Sequence, residues 1–210
     1  MYHRSALMVR QIVFLFIFVN QGGNLLAQKD RIVEQIDANK TVMLKGTLSP
    51  AARPELDRGP VDTSQKLTLS LVLKPSASQQ MDMDRMSAEQ QDPASPNYHK
   101  WLTPDEYASR FGISPADVAK IVAWLKAEGF HVDNVARGRN TIAFRGTAGQ
   151  VKKAFHTDIH HYQVEGELHF ANSTEPSIPA ALEPVVGGIL GLNDFRLKHR
   201  AGAVPKKAVN

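Results

Sequence analysis

The sequence predicts an α+β fold on the split βαβ plan, an antiparallel sheet with helices on one face, and three observations carry that prediction. Leu67, Leu69, Leu71 and Leu73 alternate with Thr68, Ser70, Val72 and Lys74, the period of two of a strand with one buried face. Three helix starts share one device, a Ser or Thr followed three residues later by an acid or amide: Thr103 with Glu106, Ser114 with Asp117, Thr147 with Gln150. From residue 66 the elements then run strand, helices, strand, strand, helix, strand, which is the order of that plan.

In chain order, residues 28–65 read as an extended lead-in, with the short apolar stretch Thr41-Val42-Met43-Leu44 broken by Pro50, Pro54, Gly59 and Pro60. The strand from Lys66 ends at Pro75, and a helix from about Gln79 to Gln91 stops before Asp92-Pro93. Thr103-Pro104 opens a helix that runs to Phe111 with Gly112 as the stop. Ser114-Pro115 opens the next, where Val118, Ile121, Val122 and Leu125 form one apolar face before Gly129. Phe130 to Val135 and Thr141 to Arg145 read as two strands joined by a turn at Arg137-Gly138-Arg139-Asn140. The helix after Thr147 turns Val151, Ala154 and Phe155 inward; Thr157 to Val164 is the last strand of the plan, and Glu167 to Phe170 reads as an extra one. A sheet covered on one face leaves the other open. On this reading Thr68, Ser70, Val72, Ala143, His160 and Tyr162 project from it, as a solvated face or a docking surface.

The chain has 210 residues and a net charge of +4, and 42% of its residues are hydrophobic, enough for a core of its own. It has no cysteine, which excludes disulfides, thiolate metal sites, iron–sulfur clusters and thiol nucleophiles. Residues 1–27 carry Arg4 and Arg10, the apolar run Ile12 to Val19 and the small-residue site Leu25-Leu26-Ala27. They read as a signal peptide cut between Ala27 and Gln28, the alternative being a retained membrane anchor. The expected mature protein is secreted or periplasmic and off the membrane once the signal is removed. Residues 196–210 hold Arg196, Lys198, Arg200, Lys206 and Lys207 with no carboxylate, and read as a basic linker or tail. The body between, residues 28–195, has 18 Lys and Arg against 21 Asp and Glu, a net −3, so a nucleic-acid partner is not expected.

Candidate chemistry is sparse. His156, His160 and His161 are spaced like metal ligands, but neighbouring residues of a strand point to opposite faces, so neither a metal nor another cofactor is expected. Arg137 and Arg139 read as a solvated turn, and Gly146-x-x-Gly149-x-x-Lys152 lacks the hydroxyl of a phosphate loop. Trp101 and Trp124 read as core or helix-packing residues, and Asn172-Ser173-Thr174 has the form of a glycosylation acceptor.

The run Ser95-Pro96-Asn97-Tyr98-His99-Lys100-Trp101-Leu102-Thr103-Pro104-Asp105-Glu106-Tyr107 resembles the pro-kumamolisin activation domain, the propeptide of the secreted serine-carboxyl peptidases called sedolisins. Arg110-Phe111-Gly112, Trp124-Leu125, Gly146-Thr147-Ala148, Phe170-Ala171-Asn172, Ile178-Pro179-Ala180-Ala181-Leu182 and Gly188-Ile189-Leu190-Gly191-Leu192 follow in the same order, so the resemblance covers about residues 40 to 195. It implies a ferredoxin-like prodomain core over residues 66–171, and a segment over residues 172–195 directed to a peptidase cleft. It also implies a role as folding chaperone and inhibitor of a sedolisin-type catalytic domain, in cis or in trans, with Val72, Ala143, His160 and Tyr162 as partner-binding residues. Release on acidification makes His160 and His161 candidate pH sensors, since histidines gain charge below about pH 6.5. No catalytic residue can be carried over: Gly46-Thr47 is followed by Leu48, Gly146-Thr147 by Ala148, and neither Gly-Thr-Ser nor a Gly-x-Ser-x-Gly elbow occurs. A stand-alone trans-acting inhibitor, or another secreted binding module, is the alternative.

Overall fold

The computed structural model describes residues 28–195; the expected signal at residues 1–27, with Ala27, and the tail at 196–210 lie outside them. A four-stranded antiparallel sheet is built from β3 (Lys66–Leu73), β4 (His131–Val135), β5 (Thr141–Thr147) and β9 (Val186–Leu190), in the order β4-β5-β3-β9. A second sheet, β2-β6-β7, combines β2 (Asp57–Pro60), β6 (Ile159–Val164) and β7 (Glu167–Asn172). β1 (Thr41–Met43) and β8 (Ser177–Pro179) form a separate ribbon. Among the described residues no helix is long and apolar enough to cross a membrane.

The central strand behaves as its alternation requires. Leu67, Leu69, Leu71 and Leu73 are all buried while Thr68 is exposed, and each buried leucine contributes roughly 1.5–3 kcal/mol of transfer free energy. Residues of helices α3 (Pro115–Ala127) and α4 (Ala148–Phe155) join these leucines in one core. There Trp124 of α3, Phe155 of α4, Phe144 of β5 and Phe130 form an aromatic cluster with centroids 5.1 to 6.2 Å apart, including two edge-to-face pairs. Gly146 makes room for it, since a Cβ there would enter the van der Waals envelope of the Phe130 ring.

Capping fixes the helix starts. Ser76 and Gln79 form a full capping box that opens α1 (Ala77–Gln91) two residues earlier than the sequence suggested. Thr103 with Glu106 opens α2 (Pro104–Phe111), and Thr147 with Gln150 opens α4. At α3 the box is only half made: the Ser114 hydroxyl accepts from the Asp117 amide, but the Asp117 carboxylate turns to the lead-in segment instead. Its Oδ2 accepts from the Arg31 amide at 2.7 Å and its Oδ1 from the Ile32 amide at 3.1 Å.

Two expectations are corrected. The lead-in is more than extended chain, because it places Ile32 and Val61 in the core. Gln28 is held as well: its Nε2 donates to the carbonyls of Ala108 and Gly112, and its Oε1 accepts from Arg139. The last strand of the main sheet is also not Thr157 to Val164. That stretch, as β6, pairs with β2 and β7, and the fourth position beside β3 is taken by β9. Residues 66–171 therefore do not close the core by themselves, and much of 172–195 is structural rather than directed outward. The reason is a β-bulge in the pairing of β9 with β3, next to Gly187, which breaks the alternation of Val-Gly-Gly-Ile-Leu and hides a strand whose Val186 and Ile189 are buried.

Candidate partner-binding surface

Register fixes what the uncovered face of the main sheet presents. Ser70 of β3 lies between Ala143 of β5 and Leu190 of β9; Val72 lies between Thr141 and Gly188; Thr68 is opposite Arg145. The centre is therefore low, lined by small side chains, with the 59% exposed Leu190 standing at one side. On the other side, Arg145 donates to both carboxylate oxygens of Asp133 at 2.8 and 2.9 Å, with His131 3.6 Å from the same carboxylate. The Arg145 hydrogen bond holds Asp133 below the usual carboxylate range and raises the guanidinium in turn. The face thus has a low centre of small side chains, bordered by an exposed leucine on one side and a charged pair on the other.

Of the six residues expected on this face, Thr68, Ser70, Val72 and Ala143 are there, and His160 and Tyr162 are not. Both of the latter lie on β6, in the second sheet, and Tyr162 is only 3% exposed, so it offers no surface to a partner. Burial, with the Asp57 carboxylate nearby, pushes the Tyr162 phenol up. The His160 Nδ1 sits 2.8 and 3.0 Å from the two oxygens of Asp57. Asp57 is held low although burial opposes it, because the Gly59 amide and His160 bond to the charged form. Leu190 and Gly188 are the members of the face that sequence reasoning missed. The run Val186 to Leu190 was the signal, but without visible alternation its outward residues could not be assigned.

The histidines face different partners. His156, left-handed at φ 53° where it ends α4, has its Nδ1 3.1 Å from the Ser177 hydroxyl, whereas the buried Nδ1 of His161 has no hydrogen-bond partner among the described residues. Arg137 pairs with Asp105, and Arg139 donates to the carbonyls of Ile113 and Ala108, so both turn arginines are engaged within the chain. Asn172 is fully buried, with its Nδ2 donating to the Thr47 hydroxyl and the Thr174 carbonyl, so the folded domain does not present it for glycosylation. Trp124 is in the core, but Trp101, expected to pack inward, is 69% exposed and stacked beside His99.

Three arginine-paired carboxylates set one pH dependence. Hydrogen bonds from Arg110, Arg137 and Arg145 hold Asp82, Asp105 and Asp133 below their ordinary values. Because the folded-state values are depressed, this contribution is complete above the unfolded carboxylate range near pH 4 and is lost as pH falls through the folded values. Thermal melts are expected to show a lower Tm at pH 3 than at pH 5, with the Asp82→Asn, Asp105→Asn, Asp133→Asn triple variant showing a smaller drop.

The pro-kumamolisin activation domain model matches residues 55–195, two thirds of the chain. Among curated proteins, the chain is 36% identical to xanthomonalisin of a Xanthomonas species over 51% of this chain and 13% of that protein. It is 30% identical to sedolisin of a Pseudomonas species over 71% of this chain and 24% of the relative, and 23% identical to kumamolisin of a Bacillus species over 79% and 31%. The chain thus spans less than a third of the length of these relatives. A match of that extent, on a fold with the expected α+β make-up, shows that the chain belongs to the pro-kumamolisin activation domain family, the propeptide domain of sedolisin-type peptidases.

Proposed function

We propose that this domain is the chaperone and inhibitor of a sedolisin-type catalytic domain, exported to the cell exterior or periplasm, and that it docks through the uncovered face of β4-β5-β3-β9. The observation that supports this most is the face itself, with small Ser70, Ala143 and Gly188 flanked by exposed Leu190. A surface of this shape admits a partner's side chains close to the strands, and burying Leu190 adds binding free energy without requiring a conformational change. A ligand that binds only the folded peptidase stabilises it by mass action, and the same contact lowers its activity while the complex lasts.

The test is to refold a sedolisin-type catalytic domain with and without this chain, and to assay the native enzyme with the chain added near neutral pH. Recovery of active enzyme should rise severalfold and hydrolysis should slow in a dose-dependent way. No gain in refolding together with no inhibition would overturn the reading.

For release on acidification, the two candidate histidines separate. The His160 Nδ1 faces the Asp57 carboxylate, whereas the buried His161 Nδ1 has no hydrogen-bond partner among the described residues. Dissociation of the complex measured against pH for His160→Gln and His161→Gln tests both; the same pH for both variants and the parent removes the two histidines from the mechanism.

A further inference from the structure

Helix α3 and the lead-in segment enclose a groove of about 530 Å³, walled by Ile36, Ala38, Ala123, Trp124 and Ala127. That volume suits a small molecule, and a mostly apolar wall with few polar groups is what such ligands bind to. Trp124 supplies the polar group. Its side chain is 7% exposed and its ring lies edge-to-face on Phe155, while its Nε1 is buried with no hydrogen-bond partner among the described residues. Buried donors in folded proteins are nearly always paired, and an indole N–H can only donate. The residue at the base of this groove therefore calls for an acceptor.

The rim selects against charge. Lys120 Nζ donates to the Ile32 carbonyl at 2.6 Å and stands 3.9 Å from Asp117, and Glu128 pairs with Lys153 at 3.1 Å, so both are engaged within the domain. Glu34 sets a further carboxylate on the lining, which disfavours an anionic ligand. On the lead-in side, none of residues 33–38 hydrogen-bonds to a helix or a strand among the described residues. That side can yield by the small shift that brings an acceptor to the Trp124 nitrogen.

We infer that this groove binds a small uncharged molecule with an apolar body and one carbonyl oxygen. The oxygen accepts from Trp124 Nε1 while the body packs on Ile36, Ala123 and Ala127. The site is separate from the residues of the main-sheet face, and the inference does not depend on whether the domain meets a peptidase.

Heteronuclear NMR of the labelled full chain tests it, because the chain has two tryptophans and a Trp101→Phe variant assigns their side-chain N–H signals. Acetophenone is the probe; free indole, of the same size but without an acceptor, is the control. Acetophenone should move the Trp124 N–H signal saturably, and indole should bind at least about fivefold more weakly. Ala127→Leu, which narrows the groove and keeps Trp124, should weaken acetophenone by a similar factor, and Trp124→Phe should bind the two probes alike. A Trp124 signal that acetophenone leaves in place overturns the inference. Equal affinity of the parent for the two probes does so as well, as does binding unchanged in Ala127→Leu.

Discussion

A variant carrying Ala143→Lys and Leu190→Asp should lose at least about 100-fold in inhibition of a sedolisin-type peptidase while keeping its fold. Both positions lie on the uncovered side of the main sheet, two strands apart across Ser70, so neither substitution disturbs the leucine face beneath. Leu190 is the large apolar side chain of this face that stands free of its own core, and replacing it with Asp exchanges a favourable burial for a charge that docking would strand in an apolar contact. Lys at 143 fills the low centre between Ser70 and Asn134 with a long cation. Together these effects amount to several kcal/mol, hence the hundredfold loss. Inhibition constants measured beside thermal melts decide the matter: unchanged inhibition by a normally folded variant would show that the partner sits elsewhere.

The largest loss of stability is expected from Asp117→Ala. The carboxylate is fully buried, accepts the Arg31 and Ile32 amides, and has the Lys120 ammonium at 3.9 Å. Its removal leaves two amides without acceptors and loosens the seat of Ile32, which is 1% exposed in the core. Deleting one partner of a buried charged network costs about 3–5 kcal/mol, which for a domain of this size corresponds to a fall in Tm of roughly 6–20 °C. Asp117→Asn, which keeps one acceptor oxygen, should fall between. Exchange at the Arg31 and Ile32 amides should quicken in both variants; a Tm within about 2 °C of the parent, less than 1 kcal/mol for a domain of this size, would mean that the lead-in is not anchored there.

Local signals in the sequence reached most of the helices and the central strand. The Thr103, Ser114 and Thr147 starts and the leucines of Lys66–Leu73 lie where side-chain chemistry and periodicity put them, because those effects act over a few residues. What stayed hidden depends on distant partners. Asp117 looked like half of a capping box and is instead the anchor of a segment about 85 residues earlier. The sequence could not show that β6 belongs to another sheet, because Ile-His-His-Tyr-Gln-Val has no single apolar face and its pairing is chosen by β2 and β7. Much of the candidate face, Thr68, Ser70, Val72 and Ala143, was legible from alternation. Leu190 and Gly188 were not, since the adjacent bulge removes the alternation that would have assigned them.

The pairing of β3 with β9 also bears on the order in which the molecule is made. Ser70 and Leu190 are neighbours in the sheet although about 120 residues separate them along the chain. During synthesis β3 must wait for its second partner until nearly all of the domain has emerged, and closing so long a loop is an entropic step that local helix formation cannot shorten. The leucine that completes the sheet is the same residue that stands on its outer face. A nascent chain therefore does not complete this outer face until it has completed the fold.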